Sequence, residues 1–210
     1  MAEVECAQQC KKPRLDEKEG LTPGTPDVPE GEHKSSIFGM YSSDYDKYRP
    51  SYPNIGITTA IDIATRSTIH PSAGIHVVDL ACGTGKASML YARQPEVVAE
   101  LTCIDHDERM LEECQRIVEP SMSINKLSVK KGSAEQTGLG DSCCDLIGVH
   151  TAFHWFNAET ALKEFHRILK DDGILALAWN NQNQDKGCYK QLWDMINAAM
   201  PGTFVLCAHL

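Results

Sequence analysis

Residues 76–88, HVVDLACGTGKAS, constrain the fold of this chain more than any other stretch. Ile75, Val77, Val78 and Leu80 form a short apolar run rich in β-branched residues, which predicts a parallel strand covered on both faces. Asp79 stands near its carboxyl end. Cys82-Gly83-Thr84-Gly85 then turns the chain, and residues 86–90 have helical character. Glycines at such a turn let the backbone approach a ligand where a Cβ would collide. In an open α/β sheet, nucleotide-like ligands bind just beyond the carboxyl end of the first strand.

Three kinds of nucleotide loop compete for this turn. A P-loop needs G-x-x-x-x-G-K-[ST], but Leu80 replaces the first glycine and Ala87 the hydroxyl. A dinucleotide fingerprint needs G-x-G-x-x-G, and Ser88 occupies the third glycine's place. The loop therefore does not expect a pyrophosphate, and an NAD-dependent oxidoreductase reading fails at the same residue. What remains is a loop for S-adenosylmethionine (SAM), which carries no phosphate. A glycine turn that only connects strand and helix is the plain alternative.

A SAM loop calls for a second acid, and one is present. Residues 101–104, LTCI, read as the next strand, ending in Asp105. An acid roughly 20 residues past the glycine turn is placed to accept hydrogens from both ribose hydroxyls. Asp107 follows as the expected N-cap of a helix.

Composition narrows the class. A chain of 210 residues predicts one domain plus a tail, and an apolar share of 42% suffices for a core. The formal net charge of −9 argues against a general nucleic-acid surface. No apolar run has the length of a transmembrane helix, and the amino terminus lacks a secretory pattern. The nine cysteines include no CxxC pair, so we expect no zinc site. Cys82, Cys103, Cys114 and Cys144 read as small core residues of a cytoplasmic protein in a reducing compartment. Residues 1–36, rich in Glu, Lys, Pro and Gly, are expected to be a disordered tail, with Lys11-Lys12-Pro13-Arg14 a solvated charge run. The domain is expected over residues 37–210.

From Ile37 onward strand and helix patterns alternate. A lead-in helix is expected over 54–67 and a crossover helix over 86–93. Strand two precedes a helix with Met110, Leu111, Cys114, Ile117 and Val118 at helical spacing. Strand three covers 127–129 and strand four 144–149. A helix capped by Asn157 follows, then a turn at Asp172-Gly173 and strand five over 174–179. A last helix carries Tyr189, Leu192, Trp193 and Ile196. This alternation implies a doubly wound, mainly parallel sheet.

Four blocks carry a family resemblance: VVDLACGTGKAS, LTCIDHDERML, GSAEQTGLGDSCCDLIGVHTAFHWF and EFHRILKDDGILALAW. They resemble the class I SAM-dependent methyltransferases, in the type 11 group that includes the ubiquinone-biosynthesis C-methyltransferases. YDKYRPSYP and AFHWF resemble the trans-aconitate methyltransferase-like branch. The resemblance implies a Rossmann-like methyltransferase sheet. It implies that Asp79, Ala81, Gly83 and Gly85 shape the methionine side of the cofactor pocket and that Asp105 holds the ribose. Ser133, Ala134 and Glu135 would lie at the adenine. Ala81 stands where the commonest family loop has glycine, and Ser133 where an aspartate is commoner, so adenine recognition would lean on backbone groups.

By the same resemblance His150, Thr151 and His154 face the sulfonium and the acceptor, with His154 and His150 as the candidate catalytic residues. Trp155 and Phe156 either present π faces to the sulfonium or pack beneath the next helix. Tyr45, Tyr48, Arg49 and Tyr52 form an aromatic–basic cluster ahead of the core. Tyr45, Arg49 and Trp155 are the candidate substrate contacts, Arg49 as a fork for a carboxylate.

Methyl transfer is an in-line displacement with a leaving group already activated, so positioning and water exclusion dominate and no metal is required. A small-molecule acceptor, possibly a carboxylic acid, is the expected partner; neither nucleic acid nor membrane is. The family sheet carries two further strands after the last helix, one of them antiparallel. Residues 203–207 are apolar enough for one further strand, and we expect this chain to lack part or all of that closing hairpin. That would leave a sheet edge around Leu175, Leu177, Trp193 and Ile196 open to self-association. The alternative function is a SAM-binding or partner-binding protein with little or no turnover.

Overall fold

The computed structural model describes residues 39, 42, 47–49, 51–67, 74–121 and 126–179, and the backbone of residues 205–209. The tail expected over residues 1–36, Tyr45, and the helix expected around Trp193 lie outside the described residues.

The elements in chain order are α1 (Asn54–Ser67), β1 (Ile75–Leu80), α2 (Lys86–Ala92), β2 (Val98–Asp105), α3 (Glu108–Val118), β3 (Lys126–Lys131), β4 (Cys144–His150), α4 (Ala158–Ile168), β5 (Leu169–Trp179) and β6 (Val205–His209). A 3₁₀ turn, Phe153–Trp155, leads into α4. The six strands pair in the order β3-β2-β1-β4-β5-β6, all parallel. Strand order reverses between β1 and β4. Doubly wound sheets form their ligand crevice at such a reversal, outside the strands' carboxyl ends.

The alternation of side chains along β1 divides the core. Ile75 and Val77 join Ile57, Ile61, Tyr91 and Leu101 on the face covered by α1, α2 and α3. Val78 and Leu80 join Ile147, Leu175, Phe165 and Ile168 on the face covered by α4. Tyr91 and Phe165 are wholly buried, and burying a side chain of this kind contributes about 1.5–3 kcal/mol. The caps read from sequence form as expected: Asp107 accepts from Arg109 N–H at the start of α3, and Asn157 from Thr160 N–H at the start of α4. Each satisfies a helix N–H that has no partner within its own helix.

Two expectations are corrected. β5 has no open edge, because β6 pairs with its outer side, in parallel, and Leu175 and Leu177 are fully buried. The Asp172-Gly173 turn does not separate α4 from a later strand. β5 already begins at Leu169 and bulges, so that Cys144 pairs with Leu169 but Leu146 with Ile174. The bulge brings Lys170 Nζ to 2.8 and 2.9 Å from the oxygens of the buried Asp145, which also accepts His76 N–H at 2.9 Å.

The loop between β3 and β4 is held by one carboxylate. Glu164 accepts from Thr137 N–H (2.8 Å), Thr137 Oγ1 (2.6 Å) and Arg167 Nε (2.8 Å), and Arg167 also reaches Leu139 O and Asp141. The Arg167 guanidinium, ahead of the Thr137 donors, holds Glu164 at about 2. A carboxyl depressed on folding stabilises the protein fully above its unfolded pKa, and that contribution is lost as pH falls. Stability is therefore expected to decline as pH drops from about 4.5 to about 2. Glu164→Gln should flatten that part of a stability-against-pH curve from chemical denaturation.

Candidate active site

The carboxyl ends of β1, β2 and β4 meet at the sheet's reversal, and two sharp backbone turns stand there. Ala81, Gly83 and Gly85 all have positive φ, at 52°, 55° and 85°. Thr151, just after β4, has φ 55°. Non-glycine residues held in this region cluster at functional sites. Ala81 adopts the conformation that explains the family's glycine, so Ala81→Gly is expected to stabilise the fold by about 1 kcal/mol, read from melting curves.

The loop is tied to β2 by Asp105. One carboxylate oxygen accepts Gly83 N–H at 2.9 Å and the other Asp107 N–H at 3.0 Å. His106 Nδ1 lies 3.2 Å from the second oxygen, and the hydrogen bond to Asp105 raises its pKa. A Cβ built on Gly83 would meet nothing within 4 Å, so the loop's crest faces open space bordered by a carboxylate. Gly85 differs, because its Cβ would stand 2.8 Å from Cys114 Sγ and 2.9 Å from Val118 Cγ2. Gly83 leaves room for a ligand, while Gly85 leaves room for α3.

Asp79 lies inward of this space, fully buried. It accepts from Ser88 Oγ at 2.5 Å, and its other oxygen is 3.3 Å from His150 Nδ1. His150 Nε2 lies 3.5 Å from Tyr91 OH. Tyr52 OH donates to His150 O at 3.1 Å and reaches Thr151 Oγ1 at 3.3 Å. Ser88, which excluded a dinucleotide loop in the sequence, is here the donor that satisfies Asp79. Tyr91 and Ser88 were missed as site residues. Their signal was a hydroxyl on the first two turns of the helix that follows the glycine loop.

His154 sits at the rim, exposed, with its ring 5.1 Å from that of Trp155. Desolvation, then the charge of Arg49, lowers its pKa. The charge of Arg49 thus acts on His154, although the two are over a hundred positions apart in the chain. Trp155 is 40% exposed. Phe156 instead packs edge-on against Phe153 and Phe165 in the core, which selects its packing role. After β3, Ser133 and Gln136 bond each other's backbones, Ala134 is buried, and Glu135 accepts Asn157 N–H at 2.9 Å. Glu135 therefore braces the entry to α4.

Residues 78–177 match the family profile described as a methyltransferase domain. This match supports a class I SAM-dependent methyltransferase. It is 30% identical over 162 residues to an uncharacterized methyltransferase of Mycobacterium tuberculosis, covering 77% of this chain and 59% of that protein. It is 31% identical over 136 residues to a malonyl-acyl-carrier-protein O-methyltransferase of Dechloromonas aromatica, covering 64% of this chain and 48% of that one. This chain thus spans about half to three-fifths of the length of these relatives. In fold it is similar to a Methanococcus maripaludis protein provisionally assigned to the same methyltransferases, with a TM-score of 0.53 at 20% identity over 83% of this chain and 74% of that one. SAM is the cofactor of this methyltransferase domain. Among the described residues, no helix is long and apolar enough to cross a membrane.

Proposed function

We propose that this domain transfers the methyl group of SAM to an oxygen of a small carboxylate-bearing acceptor. The observation that carries this reading is that Arg49 and His154 lie near enough at the rim of the crevice for the Arg49 charge, after desolvation, to lower the His154 pKa. SAM supplies a methyl group bound to a sulfonium, already activated for displacement. In our reading the open side of Gly83 admits the cofactor, and Asp105 accepts the ribose hydroxyl hydrogens. Ser133 and Ala134, with Glu135 behind them, border the adenine. Ala81 and Gly85 set the loop's curvature. Asp79, held by Ser88 and His150, fixes its carboxyl group beneath the loop, on the methionine side.

Arg49 offers a planar fork that orients a carboxylate through two parallel hydrogen bonds. The carboxylate is ionised at neutral pH and needs no base. Desolvation and the Arg49 charge lower the His154 pKa, which disfavours a second positive charge beside the sulfonium. For a hydroxyl or amine acceptor the same imidazole is free to take the proton. Trp155 shields the rim from water, and Tyr45, outside the described residues, is a candidate further contact. The O-methyl transfer named for the Dechloromonas relative supports an oxygen acceptor, and the resemblance of YDKYRPSYP and AFHWF to the trans-aconitate branch supports a carboxylate-bearing one.

The test uses methyl-tritiated SAM with a panel of small mono-, di- and tricarboxylates. Label should enter one of them as a base-labile ester, and Arg49→Lys should cut kcat/KM at least roughly tenfold by losing the fork. Label entering only protein or RNA, or SAM binding with no transfer to any small molecule, overturns the proposal.

A further inference from the structure

A cluster of sulfur side chains that the proposed chemistry leaves unused lies directly beneath the glycine loop. Cys82 stands in the loop, Cys103 on β2 and Cys114 on α3, all free thiols in one apolar cluster. They converge for structural reasons. Cys82 N–H bonds to Ile104 O at 3.0 Å, and Cys103 is the register partner of Asp79 on β1. From the other side, α3 approaches the loop so closely that Cys114 Sγ occupies the place a Cβ on Gly85 would need. Cys82 Sγ donates to Gly83 O at 3.7 Å, and the three thiols lie close enough in the cluster to shift one another's pKa. Cys103 and Cys114 are fully buried, whereas Cys82 retains 8% exposure beside the open crest at Gly83. Among the described residues, no group of three or more His, Cys, Asp or Glu is arranged to hold a metal ion. Thiol chemistry is what the cluster offers.

We propose that Cys82 and Cys114 form a reversible disulfide under hydrogen peroxide, making the floor of the glycine loop an oxidation site that excludes SAM. The inference rests on reading residues 81–85 as the cofactor loop. Hydrogen bonds from Cys103 and Cys82 lower Cys114 to about 5, while the bonds Cys82 makes to Cys103 and Cys114 push it up. Ionisation within the cluster is therefore favoured at Cys114 over Cys82, and the thiolate is the reactive form of cysteine. Peroxide meets Cys82 first, at the exposed end. As the Cys82 proton passes to the Cys114 thiolate, the Cys82 sulfur attacks one peroxide oxygen. The O–O bond breaks, and the departing hydroxide takes the proton back from Cys114 to leave as water. The restored Cys114 thiolate then attacks the Cys82 sulfenic sulfur. The S–O bond breaks, and that hydroxide leaves as a second water with a proton from solvent. The two cysteines lose two electrons and one peroxide is reduced to two waters. A disulfide holds its sulfurs only about 2.05 Å apart. Cys82 is thereby drawn toward α3 and pulls on Gly83, whose N–H is held by Asp105.

Calorimetric SAM binding by the reduced full chain comes first. Absence of binding there overturns the loop reading, and this site with it. The chain is then treated with peroxide, mapped by differential alkylation and mass spectrometry, and titrated again. We expect a Cys82–Cys114 linkage, a SAM affinity lowered at least roughly tenfold, recovery with dithiothreitol, and slower linkage when SAM is bound. Cys143 is half-buried and held at about 7 by a hydrogen bond with Cys144, so it is a competing thiol. The Cys143→Ser variant should keep the whole response. Cys114→Ala should bind SAM when reduced and lose its peroxide sensitivity. If that variant fails to fold, the wild-type map and its protection by SAM decide the matter. Cys82 joined to Cys103, no linkage at Cys82, or a Cys82–Cys114 linkage that leaves SAM affinity unchanged would each overturn the proposal.

Discussion

Asp105→Ala is expected to weaken SAM binding by about 1–3 kcal/mol, roughly a five- to hundredfold or greater rise in Kd. Two losses combine. On the proposed reading the ribose hydroxyls would lose their acceptor, and the loop loses the carboxylate that holds Gly83 N–H at 2.9 Å. The same side chain ties down Asp107 N–H, the N-cap of α3, so some loss of stability should accompany the loss of affinity. Asp105→Asn separates the parts. Its amide oxygen can keep one backbone partner while the charge is gone, so its affinity should fall between wild type and alanine. Isothermal calorimetry on the three proteins checks this order, and an Asp105→Ala protein with wild-type affinity would remove the residue from the cofactor site.

Gly85→Ala is expected to be the most destabilising single change in the loop, by about 2–5 kcal/mol. Its φ of 85° imposes a left-handed conformation, costing a side-chain-bearing residue about 1–2 kcal/mol. The new methyl would then stand 2.8 Å from Cys114 Sγ and 2.9 Å from Val118 Cγ2, and overpacking of that kind costs about 1–3 kcal/mol. The melting temperature should fall by roughly 5–15 °C. Gly83→Ala is the informative partner. Its φ is also positive, but its Cβ enters open space, so only the conformational cost applies. Gly83→Ala should fold nearly as well as wild type and yet lose SAM affinity, because its methyl projects into the space the cofactor would use. A Gly85→Ala protein that melts with wild type would show that α3 yields at this contact.

The two glycines look alike in CGTG and differ wholly in what surrounds them. Cys114 and Val118 press on Gly85 from a helix that begins 23 residues later in the chain. That distinction cannot be read from spacing. The β-strands and caps could be, because their determinants are local. Continuous apolar runs mark β1 and β4, Asp107 and Asn157 mark the starts of α3 and α4, and positive-φ demand marks the loop. The bounds expected for α1, 54–67, agree with the structure because amphipathic periodicity is written into adjacent residues. The bulge in β5 was read as a turn because Asp-Gly is a turn signal; only its pairing with β4 shows that the chain stays in the sheet.

The acid at the end of β1, the glycine loop, the acid at the end of β2 and the alternation of strand and helix were all determined by the sequence itself. Each is a short-range pattern imposed by backbone geometry. The tertiary structure alone decided which partners those groups meet. It turned Ser88 from a missing glycine into the donor for a buried carboxylate and set His150 between Asp79 and Tyr91. It also brought the charge of Arg49 to bear on His154 and gathered three cysteines from a loop, a strand and a helix into one cluster. These are contacts between residues distant in the chain, and burial, which makes such contacts energetically decisive, exists only once the sheet and helices have packed.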